Sequence, residues 1–220
     1  MIKEFKRPKS LVEAAMGGIR SSIIKGELAL GQQLTESYLT ELFGLSKTPI
    51  REALALLKSE GLVVSEVHKG FRVFKMDEQE LSEFCELRIA LEIQALRSAI
   101  YNNKINLVIK LKKIVKQMED SVKNSDLKVY DLLDSQFHKI FFILSENRYL
   151  LKHYESINGV IETIRTHTHN NKKNITGSLN DHKIILHTIE MNSISKAKKA
   201  LENHINVWVN DRVKKSLIIK

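Results

Sequence analysis

The chain has 220 residues, 43% apolar and 28% charged, with a net charge of +9, values of a folded globular protein and not of a disordered or fibrous one. Its single cysteine, Cys85, excludes an internal disulfide and a Cys-rich zinc motif, and suits a reducing cytoplasm. No stretch approaches the roughly 18 apolar residues of a membrane span, and no apolar segment follows the charges of Met1 to Ser10, so neither an anchor nor a secretion signal is expected.

From Ser10 to Lys25, Leu11, Ala15, Ile19 and Ile23 recur every four positions, which predicts an amphipathic helix stopped by Gly26. Thr35 can cap a short helix that turns Leu39, Leu42 and Phe43 inward and ends at Gly44. A hydroxyl of Ser46 or Thr48 can cap a third helix, because Pro49 is tolerated only in a first turn; its buried stripe is Ile50, Ala53, Leu54 and Leu57. Leu62 to Glu66 and Phe71 to Phe74 read as a β-hairpin, with Gly70 at the position needing backbone freedom. Helix, helix, turn, helix, hairpin is the order of a winged helix-turn-helix over residues 1–75.

Residues 76–78 make a short linker, and residues 79–220 are expected to be all-helical. Helical apolar spacing runs through 79–102, 104–123, 126–145, 147–167, 178–191 and 194–217, with a polar loop expected at His167 to Asn174. Six such helices suit a compact antiparallel bundle, so the fold class is mainly α.

Net charge does not locate a nucleic-acid surface: residues 1–74 carry 11 Lys and Arg against 8 Asp and Glu, and residues 75–220 carry 24 against 18. The recognition-helix start is more informative, since a helix-turn-helix reads the major groove with the exposed N-terminal face of its second helix. Here that face offers Ser46, Lys47, Thr48 and Arg51. Arg51 can present a planar fork to guanine O6 and N7, Lys47 a point charge suited to phosphate, and the two hydroxyls can fix register on the backbone. Lys69 and Gly70, at the hairpin tip, are placed to reach an adjacent groove. The bland alternative for each is a solvated charge or a helix cap. One such module reads only a few base pairs, so a homodimer on a palindromic operator in double-stranded DNA is expected.

Leu34 to Gly70, with Leu-Ser-Lys-Thr-Pro-Ile-Arg-Glu-Ala-Leu at 45–54 and Glu-Gly-Leu-Val at 60–63, resembles the DNA-binding domain of GntR regulators. The resemblance implies operator contacts by Lys47, Thr48, Arg51, Lys69 and Gly70. Lys47 stands where the family often has Arg, which implies a different operator preference.

Farther along, Asp134 and His138 stand four apart on one helical face. His182 and His204 lie 10 residues before and 12 after Asn192, so an antiparallel hairpin rising about 1.5 Å per residue brings them nearly level. One carboxylate and three imidazoles that converge suit a divalent transition metal, with zinc first and nickel, manganese or iron as alternatives. Separate hydrogen-bonded polar residues in a bundle are the competing explanation. The pattern resembles the metal-binding set of the FCD C-terminal domain of the FadR-type subgroup, which implies sensing of a small organic acid at open metal positions. Arg88 matches a position that often faces such an effector; an ion pair with Glu92, four residues on, is its simpler role. His153, His167, His169 and His187 are weaker candidates.

Ligand-responsive regulation, most simply repression relieved by effector, is the reading that uses both halves. A metal-dependent hydrolase is one rival, but no HExxH motif or general base accompanies the cluster and the N-terminal module would be idle. A constitutive DNA-binding protein with a purely structural dimerisation bundle is the other.

Overall fold

The computed structural model describes residues 10–66, 70–168 and 172–207, with backbone alone at 167–168 and 172–174. Contacts divide the chain into two compact units, residues 1–75 with 156–163 and residues 76–155 with 164–220. Among the described residues, no helix is long and apolar enough to cross a membrane.

The first unit holds α1 (Leu11–Ile24), β1 (Gln33–Leu34), α2 (Glu36–Phe43), α3 (Lys47–Ser59), β2 (Val63–Glu66) and β3 (Gly70–Val73). Ser10 caps α1 through a capping box with Glu13, and Ala15, Ile19 and Ile23 are fully buried. Leu11 does not join that stripe: it is 60% exposed at the first helical position. Leu42 is likewise 50% exposed, so α2 is anchored mainly by Leu39. Ile50, Ala53, Leu54 and Leu57 of α3 are fully buried, and Arg20 of α1 clasps Glu60 at the end of α3 at 2.6 Å. Gly18 admits Phe43 so closely that a Cβ there would lie 2.8 Å from the ring.

The hairpin gains a third strand that its two-residue length hid from periodicity. β1 pairs antiparallel with β3, which pairs antiparallel with β2, in the order β1-β3-β2. Gly70 enters β3 at φ +86°, a left-handed conformation that favours glycine. This is a winged helix-turn-helix; Val67, His68 and Lys69 at the wing tip lie outside the described residues.

The second unit is all-helical: α4 (Glu78–Lys123), α5 (Leu127–Leu144), α7 (Lys172–Glu190), α8 (Ile194–Val207) and both ends of α6 (Arg148–Thr168), whose residues 156–163 belong to the first unit. The expected break at residue 103 is present: α4 is two helical segments joined at a kink at Asn103, with φ −144° and ψ +37°. Only Asn103 leaves helical geometry, while Asn102 and Asn103 donate to the carbonyls of Ser145 and Leu144 at the end of α5. α7 starts at Lys172, earlier than the expected 178, because buried Ile175, Ser178 and Leu179 extend the inward face that His182 continues. Of the loop expected at His167 to Asn174, residues 167–168 and 172–174 are helical, and residues 169–171 lie outside the described residues. Residues 208–217, expected to continue the last helix, lie outside the described residues.

Candidate functional site

α5 carries the polar centre of the bundle. Its inward face presents Tyr130, Asp134, Phe137, His138 and Phe141, all buried, so two polar side chains stand among aromatic ones and need partners. α7 adds His182 and α8 adds His204, both buried, across the turn at Asn192. One ligand atom from each of Asp134, His138, His182 and His204 lies within 4.8 Å of the others.

Each imidazole has an outer partner at Nδ1. That of His138 lies 2.5 Å from Glu92 Oε2, that of His204 3.3 Å from Asp181 Oδ2, and that of His182 3.5 Å from the Tyr130 hydroxyl. Carboxylates only accept, so Nδ1 of His138 and of His204 donates and carries the proton. The lone pairs are then on Nε2, and those of His138 and His204 face each other at 3.3 Å. His182 Nε2 stands 3.3 Å from Asp134 Oδ1 yet is buried without a hydrogen-bond partner of proper geometry. Three imidazole nitrogens and a carboxylate oxygen therefore converge with a surplus of lone pairs, a donor set that fits a transition-metal cation.

Burial first, then the neighbouring His204, holds the His182 pKa well below the usual imidazole range; burial, then His138, does the same for His204. Neutral imidazoles are the form that binds metal. Burial alone would raise the Glu92 pKa, but Arg88 and His138 outweigh it and bring it down to about 2. Burial pushes the Cys85 thiol up to about 11, consistent with a core residue.

Arg88 is buried, and its Nε donates to Glu92 Oε1 at 2.6 Å, so the ion pair along the helix is formed. Through Glu92 it is linked to His138. Arg165, to which no sequence spacing points, is buried on α6 with Nε 2.5 Å from Asp134 Oδ2. Glu92, expected only as the ion-pair partner of Arg88, also backs His138. Asp181 and Tyr130 had no expected role, and of these only Asp181, next to His182, carries a local signal. His153 and His187 are exposed and outside the cluster. His169 and the side chain of His167 lie outside the described residues.

In the first unit, Ser46 is the N-cap of α3 but makes no side-chain capping bond. Lys47, Thr48, Arg51 and Gly70 are exposed; Lys69 lies outside the described residues. Pro49 and Ile50 turn inward, so the start of α3 shows polar groups on one side and apolar ones on the other. Arg51 is held by Glu36 of α2, with Nε to Oε1 at 2.7 Å, a pairing between helices that no spacing along one helix indicates.

Comparison with known proteins gives matches over both units. Residues 11–73 match the model for bacterial regulatory proteins of the gntR family, and residues 83–207 match the FCD domain. The HTH-type transcriptional regulator YdhC of Bacillus subtilis (strain 168) is 26% identical over 190 residues, 86% of this chain and 84% of that protein. The gluconate operon transcriptional repressor of the same organism is 25% identical over 177 residues, covering 78% and 72%. Among solved structures, McbR/YncC of E. coli has the same fold, with a TM-score of 0.73 at 18% identity over 90% of this chain and 94% of that one.

Proposed function

The chain belongs to the GntR family of bacterial regulatory proteins, in the group with an FCD domain, and from that premise we propose a metal-dependent, ligand-responsive repressor that binds a palindromic operator as a homodimer. It is a transcription regulator and not an enzyme, which removes the hydrolase alternative.

In this reading α3 enters the major groove. Arg51 contacts a guanine edge, Lys47 takes a phosphate, and Ser46 and Thr48 with the free amides of the first helical turn set the register. Lys69 and Gly70 of the wing reach the neighbouring groove. The exposed polar start of α3 above its buried stripe supports this assignment.

The observation that carries the regulatory half is the convergence of Asp134, His138, His182 and His204 within 4.8 Å. These four residues would hold a divalent transition ion, with zinc first and nickel, manganese or iron as alternatives. The bound ion would supply a Lewis-acid position for the carboxylate of a small organic acid. Arg88 and Arg165, buried and linked to the cluster through Glu92 and Asp134, would offer cationic groups to such an acid. The Bacillus subtilis relative is named for a gluconate operon, and gluconate is a carboxylate, which supports that effector class. Effector binding would favour one arrangement of the bundle over another and change operator affinity through the difference. A reducing cytoplasm is where such a regulator meets DNA.

The test is purification of the full chain, metal analysis, and recovery of bound duplexes from a random-sequence pool, with and without a chelator. Stoichiometric metal, palindromic duplexes and a dimeric mass in light scattering are expected. Failure to bind any duplex at low salt would end the DNA reading, and metal-free protein with unchanged stability in chelator would leave the constitutive alternative.

A further inference from the structure

The exposed Arg51 guanidinium is clasped from α2. Its Nε donates to Glu36 Oε1 at 2.7 Å and its Nη2 donates to Glu36 Oε2 at 2.8 Å, a bidentate pairing between residues 15 apart. The two partners are not equally free. Glu36 is the first residue of α2, where the Thr35 hydroxyl accepts from the Tyr38 amide and the positive end of the helix dipole favours a carboxylate. Its side chain is 27% exposed against 67% for Arg51, so the carboxylate is the anchored member and the guanidinium the outward one. The pairing also holds the Glu36 carboxyl below its ordinary range, chiefly through the hydrogen bond from Arg51, so the clasp is charged at neutral pH.

A guanidinium has five N–H donors. The clasp uses one on Nε and one on Nη2, which leaves both donors of Nη1 and the second of Nη2 on the edge away from Glu36. That remaining edge is a planar fork, the shape that matches the paired acceptors of guanine. Resting on the assignment of α3 as the reading helix, we propose that Glu36 is a positioning residue for sequence readout: it fixes the plane of the Arg51 guanidinium and so sets the preference for a G·C pair at one operator position.

Two physical points favour this role over a stabilising one. A solvent-exposed ion pair contributes little to fold stability. A carboxylate near the DNA backbone opposes every duplex alike through its charge, whereas an oriented fork rewards only the duplex whose acceptors lie in its plane. Glu36 thus exchanges general affinity for discrimination.

The experiment uses full-length protein, duplexes that the wild type recovers from a random pool, and the same duplexes with each G·C pair changed in turn. At the position read by Arg51, wild type should discriminate by about 5- to 100-fold. Glu36→Gln is expected to reduce that discrimination by about fivefold or more, to leave affinity for the altered duplex equal or higher, and to leave the melting temperature nearly unchanged. In an Arg51→Ala background the same change should have no effect on discrimination. Wild-type discrimination by Glu36→Gln, or an even loss across all duplexes that tracks a lower melting temperature, overturns the proposal. Retained discrimination by Arg51→Ala alone overturns the reading-helix assignment as well, whereas its loss together with an unaffected Glu36→Gln removes only the role of Glu36.

Discussion

His138 of α5 and His204 of α8 point their Nε2 atoms at each other across 3.3 Å, while a carboxylate holds each ring from behind at Nδ1. Two lone pairs so placed repel in the absence of a cation. Two imidazoles on one ion with bonds of about 2.0 to 2.1 Å place their nitrogens about 3.0 to 3.4 Å apart, so the observed spacing is that of adjacent ligands.

Metal removal is therefore expected to loosen the bundle. An ion held at 100 to 1,000 times its Kd stabilises by about 2.7 to 4.1 kcal/mol, and a chelator should remove that increment. Asp134→Ala should lower the metal content and abolish the chelator effect on the melting temperature. Elemental analysis alongside thermal denaturation checks both, and a full complement of metal in Asp134→Ala would exclude Asp134 as a ligand.

The partner behind His204 gives a finer test. Asp181 is only half-buried, so Asp181→Ala should leave the fold intact while freeing the His204 ring to turn. Loss of such an outer partner lowers metal affinity by about 10- to 100-fold. Competition against a metal-binding dye measures it; an unchanged affinity would mean that Asp181 does not orient the ring.

For the DNA face, Arg51→Ala should cost about 1 to 3 kcal/mol of operator binding and relax the preference at one position. Lys47→Ala should weaken binding to all sequences alike and flatten the salt dependence by about one phosphate contact. Titrations at several salt concentrations separate the two. Operator binding by Arg51→Ala equal to that of wild type would show that the reading residue lies elsewhere.

Phe137 is fully buried, with its ring centroid 4.4 Å from that of His182. Phe137→Ala should destabilise the bundle by about 3 to 5 kcal/mol, since the ring is lost and the cavity only partly collapses. Denaturant unfolding of the metal-free protein gives the value apart from any metal effect. A loss below 1 kcal/mol would mean that the cluster is not supported by this ring.

Much of the architecture was legible because it is local. The four-residue period from Ala15 to Ile23, the stripe of Ile50, Ala53, Leu54 and Leu57, and the Gly70 turn are written in spacings that a single helix or strand imposes on its own residues. The same arithmetic put Asp134 beside His138 and His182 level with His204, because one helical turn and one antiparallel hairpin settle both. Leu11 and Leu42 show its limit: a periodic apolar residue is buried only where another element covers it.

What the tertiary structure alone decided is which side chains stand behind these. Glu92 reaches His138 from 46 residues away, Arg165 reaches Asp134 from another helix, and Glu36 reaches Arg51 across the turn between α2 and α3. The two residues of β1 joined the sheet only because β3 offered an edge. Sequence by itself fixes the direction in which a side chain leaves its own helix or strand; the partner it meets depends on how separate elements pack, and no periodicity along one element encodes that.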